Sequence, residues 1–304
     1  MMQSWILKIL RSPIHLNKLE LKKKKVKKGE SSEELVDLIT GQVFPVVNDV
    51  PVFLSLDQEK SEKDLATGYK SSPDIRSRWK SGVRRFPLLT RFLQFIFDPA
   101  YVNNSLRNKL LNQLHEDSIV LNIGSGVKQF KNVRTINLDI ELYGNVNIVA
   151  DGGKIPLASE SVDVVILEYV IEHIADSSKI KDEIFRVITP GGFVYATVPF
   201  MQAYHGNPDD YYRFSISGFK TYWSKFECVN SEVFGGPTSA LICMLKEYTS
   251  ILLSFNNKTL YSILSQILIL PLFPFKYIDL VLAKSPNAHN MAFSMAYLGR
   301  KVVK

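Results

Sequence analysis

The chain has 304 residues, of which 46% are hydrophobic and 22% charged, and its formal net charge is +7. This length and hydrophobic content predict one large domain with an attachment and a sizeable core. The two cysteines, Cys228 and Cys243, are too few for a disulfide framework or a cysteine-built metal site, and they indicate a reducing, cytoplasmic compartment. Residues 1–10 lack the basic segment and the cleavage site of a signal peptide, and no internal repeat is evident.

Part of the positive charge is concentrated in one run, Lys22 to Lys25 followed by Lys27 and Lys28. Such a run predicts a solvated loop. The alternatives are a surface that binds an anionic membrane or one that binds nucleic acid. We expect no nucleic-acid partner.

Residues 1–60 are predicted to form a small β module. Short β-type runs flank Gly41 and Asn48-Asp49, which is typical of hairpins, and residues 15–21 are predicted as an earlier strand. The stretch Gly41-Gln-Val-Phe-Pro-Val-Val-Asn-Asp-Val-Pro-Val-Phe-Leu54 resembles the zinc-ribbon-like domain that often precedes bacterial methyltransferases and also occurs as a free methyltransferase activator. Metal-binding members carry two Cys-x-x-Cys pairs, whereas this chain has no cysteine before position 228, so we expect no zinc. The module either binds a partner or only packs.

Residues 61–117 are predicted to be a charged linker followed by helices. The linker, from Asp57 to Gly82, is rich in charged and turn residues. The stretch from Pro87 to His115 has apolar residues spaced as on one helix face, and Pro99 interrupts it.

The stretch from Ser118 to Glu141 has the pattern of a nucleotide site. Ile119 to Ile123 predicts a buried strand, and Gly124-Ser125-Gly126 after it predicts a tight turn where a ligand can approach the backbone. Thr135 to Leu138 predicts a second strand that ends in Asp139, where a carboxylate can accept hydrogen bonds from both hydroxyls of a ribose. The alternative is an ordinary glycine turn before a crossover, because a lone Gly-x-Gly is a weak signal.

Strands and helices alternate through the following residues. Further strands are predicted at 148–150, 162–167, 193–198, 227–234 and 291–298, and helices at 176–187 and 218–226, with Pro190-Gly191-Gly192 ending the first of these helices. This alternation predicts an α/β fold, with a parallel sheet covered by helices on both sides. Ligands bind such a sheet beyond the carboxyl ends of its strands. We therefore expect one rim to carry Gly124, Asp139, Asp151, Glu168 and the loop from Pro199 to Arg213.

The order of these motifs resembles the class I S-adenosylmethionine-dependent methyltransferases, type 11 branch, over roughly residues 118–299. The matching segments are Asn122-Ile-Gly-Ser-Gly126, Asp139, Ala150-Asp-Gly-Gly-Lys-Ile-Pro156, 163–173 and Thr189-Pro-Gly-Gly-Phe193. The resemblance implies a Rossmann-like, seven-stranded methyltransferase sheet in a domain spanning 118–304, whose last strand runs antiparallel beside the sixth. It also implies S-adenosylmethionine as the cofactor.

Carried over by position, the resemblance implies nine cofactor-binding residues: Asn122, Gly124, Ser125, Gly126, Asp139, Asp151, Gly152, Glu168 and Tyr169. Gly124 and Gly126 would lie against the methionine part, Asp151 and Gly152 at the adenine edge, and Glu168 and Tyr169 near the sulfonium. The chain departs from the family pattern at Asn122, where an acid is usual, and after Gly126, where the third loop glycine is replaced.

The segment from Pro199 to Ser215 combines a histidine, carboxylates, tyrosines and an arginine directly after the fifth predicted strand. It resembles a loop in a methyltransferase subfamily often found beside bacterial surface-polysaccharide genes. An imidazole, with an ordinary pKa of about 6.5, can accept a hydroxyl proton near neutral pH, so His205 is the candidate general base. Either Asp209 or Asp210 orients its other nitrogen or binds sugar hydroxyls, and Asp210 is the second catalytic candidate. The candidate substrate-binding residues are Asp209, Tyr211, Tyr212 and Arg213. The alternative is a loop held rigid by its own salt bridges and Pro208.

Residues 236–288 are predicted to be a helical insertion before the last strand. Its part from 241 to 275 is rich in apolar residues, and residues 260–275 carry no charge. That uncharged stretch is too short for a membrane span and contains Pro271 and Pro274. We expect a peripheral membrane contact, a homodimer contact or simple packing.

Together these features predict a methyltransferase that moves a methyl group to a hydroxyl of a sugar or of a lipid-linked glycan intermediate. The displacement at a charged sulfonium would depend mainly on alignment of the reacting atoms. The alternatives are an acceptor that is another small molecule, a protein or RNA, and a binding or scaffold protein that kept the fold without turnover. A dinucleotide oxidoreductase is disfavoured because the third glycine is absent.

Overall fold

A computed structural model describes residues 3–25, 31–54, 95–96, 99–126, 130, 133–206 and 209–302. The predicted linker from Asp57 to Gly82 and most of the predicted helix before Pro99 lie outside the described residues. Near the amino end, a short helix α1 (Ser4–Ile9) precedes a four-stranded antiparallel sheet of β1 (Leu19–Lys25), β2 (Ser31–Asp37), β3 (Val43–Val47) and β4 (Val50–Pro51), in that order. Asn48 and Asp49 have φ values of 51° and 65°, so the predicted hairpin turn is confirmed there.

The described lysines of this run, Lys22 to Lys25, lie in strand β1 and not in the predicted loop. Lys22 and Lys23 lie within β1, where they pair in register with Glu34 and Glu33 of β2. Opposite charges on neighbouring strands stabilise such a pair. The prediction of a loop was wrong because the glutamates that accommodate the lysines lie on another strand.

The central sheet has seven strands: β5 (Ile119–Ile123), β6 (Arg134–Asp139), β7 (Ile148–Val149), β8 (Val162–Glu168), β9 (Ile188–Pro199), β10 (Glu227–Gly235) and β11 (Ser294–Arg300). Their order is β10-β11-β9-β8-β5-β6-β7, and only β11 runs antiparallel to its neighbours β9 and β10 among the described strands. From β5 the chain proceeds to β7 and then returns to β8 on the other side of β5. This reversal creates a crevice beyond the carboxyl ends of β5 and β8.

Helices cover both faces of this sheet, as predicted. On one face α2 (Ser105–Asn112) packs Leu106 and Leu110 against the central strands. On the other face α3 (Ser177–Val187), followed in the chain by α4 (Ile216–Tyr222), packs Ile180 and Ile184. Asp176 caps α3 because its carboxylate accepts a hydrogen bond from the Ser178 amide. The Rossmann-like α/β fold is therefore confirmed.

The start of β9 differs from the prediction. Pro190, Gly191 and Gly192 lie inside β9, which begins at Ile188, and the register with β8 shifts between Val162 and Val164. Gly191 has a φ of 83°. The proline and glycines of such an irregular stretch look like a turn in the sequence, although the residues on either side of them stay paired in the sheet.

The amino-terminal residues share their core with the central sheet. Val52 forms a parallel bridge with Val149 of β7, and the Phe53 amide donates a 2.8 Å hydrogen bond to the Val149 carbonyl. Leu10 forms an antiparallel bridge with Leu157. The chain after β4 thus continues the central sheet beyond its short edge strand β7.

The insertion lies between β10 and β11, as predicted, and it consists of a series of helices. Its elements are α5 (Pro237–Leu253), α6 (Lys258–Ile267), α7 (Ile269–Leu272), a 3-10 segment (Phe273–Ile278) and α8 (Asp279–Leu282). The buried carboxylate of Asp279 accepts hydrogen bonds of 2.7 and 2.8 Å from the amides of Thr238 and Ser239. Asp279 therefore ties α8 to the amino end of α5.

Candidate active site

The carboxyl ends of the parallel strands bring most of the predicted residues to one rim. Gly124 follows β5, Asp139 ends β6, Asp151 comes just after β7, and Glu168 ends β8. The loop of residues 200–215, which is predicted to bind the methyl acceptor and is called the acceptor loop below, follows β9. A cavity of 540 Å³ lies away from this rim, at the amino ends of β6 and β7 around Arg134 and Asn147.

The turn after β5 is held by Asp139. Its Oδ2 accepts a 2.9 Å hydrogen bond from the Gly126 amide, and its Oδ1 accepts one of 3.1 Å from the Glu141 amide. Gly124 and Gly126 have φ values of 64° and 53°, which favour glycine. A Cβ on Gly124 would lie 2.4 Å from Val170 Cγ2, whereas one on Gly126 would meet nothing within 4 Å. Gly126 therefore presents the open side of the turn.

These features fit the cofactor that the sequence predicts. Each oxygen of the Asp139 carboxylate keeps acceptor capacity for a ribose hydroxyl beside its backbone contact. Ser125 is buried, and its Oγ has no hydrogen-bond partner among the described residues, so it is available to a polar ligand at the turn. The predictions for Asp139, Ser125 and Gly126 have this geometry in their favour.

Asn122 is directed along the sheet. It is buried, and its Nδ2 donates a 3.0 Å hydrogen bond to Oδ1 of Asn137 on β6. Asn137 in turn donates to the Asn145 carbonyl. An acid at position 122 would lack that donor, so the asparagine is explained by strand-to-strand pairing.

Asp151 lies at a cleft of 210 Å³ between the central sheet and the amino-terminal sheet, which Phe44, Phe53 and Lys154 also line. Its Oδ1 accepts a 2.8 Å hydrogen bond from the Gly153 amide. Gly152 lies against α3, because a Cβ there would lie 2.7 Å from Ile180 Cδ1. The amino-terminal residues thus form one wall beside the predicted adenine edge.

Glu168 and Tyr169 are both held by contacts that the sequence did not predict. Glu168 Oε1 accepts a 2.5 Å hydrogen bond from Arg107 of α2, and only 5% of its side chain is exposed. Tyr169 has a φ of 58°, a strained value for a bulky residue, and its hydroxyl donates a 2.7 Å hydrogen bond to Ser294 Oγ. Burial raises the pKa of Tyr169, so its hydroxyl stays protonated. Strain at a strand end is typical of ligand sites.

The acceptor loop is organised around Asp210. Arg213 binds the buried carboxylate with two 2.5 Å hydrogen bonds, and the His205 amide donates a further one of 2.9 Å. Burial alone would raise the pKa of Asp210, but the bonds from Arg213 and His205 outweigh it and lower the pKa to about 2. Asp210 Oδ2 also lies 3.2 Å from His205 Nδ1. Asp210 therefore stays ionised and orients the imidazole.

The predicted substrate-binding residues differ in exposure and in how many of their hydrogen-bonding groups already have partners. All five N–H groups of Arg213 have acceptors within the described loop: the Asp210 carboxylate and the carbonyls of Gln202, Ala203 and Tyr212. The Tyr212 hydroxyl donates to the Ala175 carbonyl. Tyr211 and Asp209, in contrast, are exposed, as is Tyr204. The exposed edge of the loop thus offers two aromatic rings and a carboxylate, while Arg213 holds the loop together.

Sequence reasoning missed Glu172 and His173, which lie in a 3-10 turn after β8 (Ile171–His173). Glu172 Oε1 lies 3.6 Å from His205 Nε2 and 4.0 Å from His173 Nε2. The two histidine rings meet edge to face with centroids 5.1 Å apart. The signal available in sequence was the Glu172-His173 pair at the carboxyl end of a predicted strand.

Comparisons with known proteins place one family on this region. A family model described as a methyltransferase domain matches residues 111–196. No curated protein sequence matches the chain.

Solved structures similar to the chain include a SAM-dependent methyltransferase from Archaeoglobus fulgidus, with 13% identity over 65% of this chain and 92% of that one (TM-score 0.42). A phosphoethanolamine N-methyltransferase 2 from Haemonchus contortus, in complex with S-adenosyl-L-methionine, shares 17% identity over 69% of this chain and 56% of that one (TM-score 0.41). The [4+2]-cyclase SpnF shares 12% identity over 73% and 95% (TM-score 0.43). The segment matched by the methyltransferase family model, residues 111–196, contains strands β5 to β8 and most of β9 of the seven-stranded Rossmann-like sheet.

Proposed function

We propose that the chain is an S-adenosylmethionine-dependent methyltransferase that O-methylates a sugar or a lipid-linked glycan intermediate. The observation that carries this proposal is the acceptor loop, which brings His205 and its Asp210 partner to the same rim as the glycine turn and Asp139. A methyl donor on one side of the rim and a proton acceptor on the other are the two requirements of O-methylation.

The exposed side chains of the loop favour a polar ring as the acceptor. Tyr204 is 69% exposed and Tyr211 49%, and the Tyr211 hydroxyl donates a 3.2 Å hydrogen bond to Asp209 Oδ2. Aromatic faces combine apolar area with a polar tip, and carboxylates accept hydrogen bonds from hydroxyls, so this edge suits a sugar.

In the proposed reaction, the Asp139 carboxylate binds the ribose hydroxyls and Asp151 lies at the adenine. His205 Nε2 takes the proton of the acceptor hydroxyl, while Asp210 holds the imidazole in place. A bound S-adenosylmethionine would supply an activated methyl group on its positively charged sulfur. The deprotonated acceptor oxygen would take this group, and the sulfur would keep the electron pair of the carbon–sulfur bond.

The decisive experiment combines equilibrium binding with transfer. We expect S-adenosylmethionine and its demethylated product to bind in calorimetry, and labelled methyl groups from the cofactor to enter the glycolipid fraction of a lysate. Binding without transfer into any fraction would favour the scaffold alternative. If the labelled methyl group appears in protein, in RNA or in another small molecule, that class is the acceptor in place of the glycan.

We also propose that the protein works at the cytoplasmic surface of a membrane, bound through its insertion. The helices there have inverted polarity. Ser250, Ser254 and Ser265 are buried at 5% exposure or less, whereas Ile251 is 65% exposed and Phe255 84%. A helix in water buries its apolar face, so apolar side chains outside and serines inside match a surrounding of lipid tails.

The distribution of charge in the insertion also supports binding to a membrane. Within residues 241–283, all of which the structure describes, Lys258 is the one charged residue that is exposed; the others are partly or fully buried. The run Lys258–Leu282 has the length and composition of a membrane span. Lys276 and Asp279 within that run are buried in contacts with the rest of the protein, which favours a surface-bound over a spanning arrangement. The net charge of +7 favours anionic lipid.

The double variant Ile251→Lys, Val281→Lys should bind vesicles of mixed phosphatidylcholine and phosphatidylserine at least about tenfold more weakly than the wild type, since burying each such side chain contributes about 1.5–3 kcal/mol. Co-sedimentation measures the effect. The control Gln113→Lys, Ser217→Lys adds the same charge at exposed polar positions and should bind no more weakly than the wild type. A wild type that forms a dimer in solution and ignores vesicles would assign the surface to a second copy of the chain.

A further inference from the structure

Glu172, His173 and His205 bring three potential ligand atoms together. One ligand atom from each of these three residues lies within 4.8 Å of the other two, and Glu172 Oε1 lies 3.6 Å from His205 Nε2 and 4.0 Å from His173 Nε2. Glu172 is fully buried, and neither of its carboxylate oxygens has a hydrogen-bond partner among the described residues. A buried carboxylate without a partner is costly, so this position requires a positive group.

The hydrogen bonds on the far sides of both rings fix which nitrogen faces Glu172. His173 Nδ1 lies 2.6 Å from the Asp209 carbonyl oxygen, which can only accept, so Nδ1 carries the proton. His205 Nδ1 lies 3.2 Å from the Asp210 carboxylate, which is ion-paired with Arg213 and likewise accepts. In the neutral rings, both Nε2 atoms therefore present lone pairs to Glu172.

A second group, the guanidinium of Arg213, also lies near His205 Nδ1. Arg213 Nη2 lies 3.3 Å from His205 Nδ1 and is a donor. Both hydrogens of Nη2 already have acceptors, the Asp210 carboxylate at 2.5 Å and the Ala203 carbonyl at 3.0 Å. Asp210 is therefore the partner that determines the proton position on His205.

We propose that Glu172, His173 and His205 bind a divalent transition-metal ion of the zinc type. Two imidazole nitrogens and one carboxylate oxygen are the donor set of many open metal sites, and ligands held at 2.0–2.1 Å from one ion lie roughly 3.3 Å apart. The separations of 3.6 and 4.0 Å from Glu172 approach this value, so modest side-chain rotations close the site. A carboxylate or carbonyl behind each metal-binding histidine is the usual supporting arrangement.

The site would keep an open position. The side chains of His173 and His205 are 19% and 28% exposed, while Glu172 is at 0%, so a bound ion is reached from the side of the two histidines. A hydroxyl that binds there loses its proton more readily. This consequence, unlike ion binding itself, rests on the proposed function: with the ion bound, His205 acts as a ligand, and the ion replaces it as the group that activates the acceptor.

Metal content and a cobalt probe test the proposal directly. The wild type, purified without chelators and without an immobilised-metal column, should contain about one zinc per chain by elemental analysis. After removal of the metal, Co²⁺ titration should give a saturable visible absorption band. Glu172→Gln and His205→Ala should abolish stoichiometric binding, while His115→Ala, at an exposed histidine outside the site, should keep it.

The wild-type measurements need no variant, so they decide the question even where a substitution impairs folding. A metal-free wild type that gives no cobalt band overturns the proposal, as do variants that bind like the wild type. If such a metal-free protein still transfers the methyl group of S-adenosylmethionine in the presence of a chelator, His205 acts as the base itself. The proposed function then stands without the ion. Metal binding in a protein without transfer would leave the site in place and remove the methyltransferase assignment.

Discussion

Replacement of His205 by alanine is expected to lower methyl-transfer turnover by a factor of about 10²–10⁴ while cofactor affinity stays near the wild-type value. The imidazole lies in the acceptor loop, whereas the residues proposed to bind the cofactor lie at the ends of β5, β6, β7 and β8. The backbone amide of residue 205 keeps its hydrogen bond to Asp210 in the variant, so the loop retains its main anchor. Turnover and calorimetric affinity are measured on the same preparation.

His115→Ala is the matched control, because it removes an exposed histidine at a distance from the loop and should leave both quantities unchanged. Asp210→Asn tests the positioning role separately. The asparagine amide binds Arg213 and the His205 imidazole more weakly than the carboxylate does, so we expect reduced turnover and a shifted pH profile of turnover. Near-normal turnover in His205→Ala would remove the imidazole from the mechanism, and equal losses of turnover and affinity would make it a structural residue.

Replacement of Asp139 by alanine is expected to weaken S-adenosylmethionine binding by about 1.5–3 kcal/mol, or roughly 10- to 150-fold, because charge-assisted hydrogen bonds to both ribose hydroxyls are lost. The carboxylate also accepts hydrogen bonds from Gly126 and Glu141, so the variant loosens the glycine turn as well. Isothermal titration calorimetry measures the change.

Asp139→Asn separates the two contributions. The amide keeps one acceptor oxygen and nearly the same shape, so its affinity should lie between those of the wild type and the alanine variant. Asp182→Ala, which removes an exposed carboxylate paired with Lys225 on the surface, should bind like the wild type. Wild-type affinity in both Asp139 variants would contradict the cofactor assignment.

The central sheet was predictable because its signals are local. Ile119 to Ile123 forms the predicted strand residue for residue, and Asp139 ends the next strand as expected. A strand buried on both faces must be apolar along its whole length, and a tight turn favours glycine, so each element is visible in a short window of sequence.

The contacts that organise the candidate site were not predictable because they join distant segments. Glu172 meets His205 only through the path of the loop after β9, and Glu168 meets Arg107 only because α2 packs on its face of the sheet. The prediction for the lysines of β1 was wrong for the same reason, because the glutamates that pair with them lie on β2. A single sequence specifies these pairs only after the fold has been built.

The bridge from Val52 to β7 also constrains how the chain can be shortened or assembled. The edge strand β7 has only two residues, and Val52 and Phe53 occupy the side of it that faces away from β6. A fragment that starts at residue 118 would leave this edge open and expose the apolar residues that Leu10 and Phe53 cover, which is a template for aggregation. During synthesis, residues 3–54 emerge before their partners at 149 and 157, so the edge is sealed only after the central strands have been made.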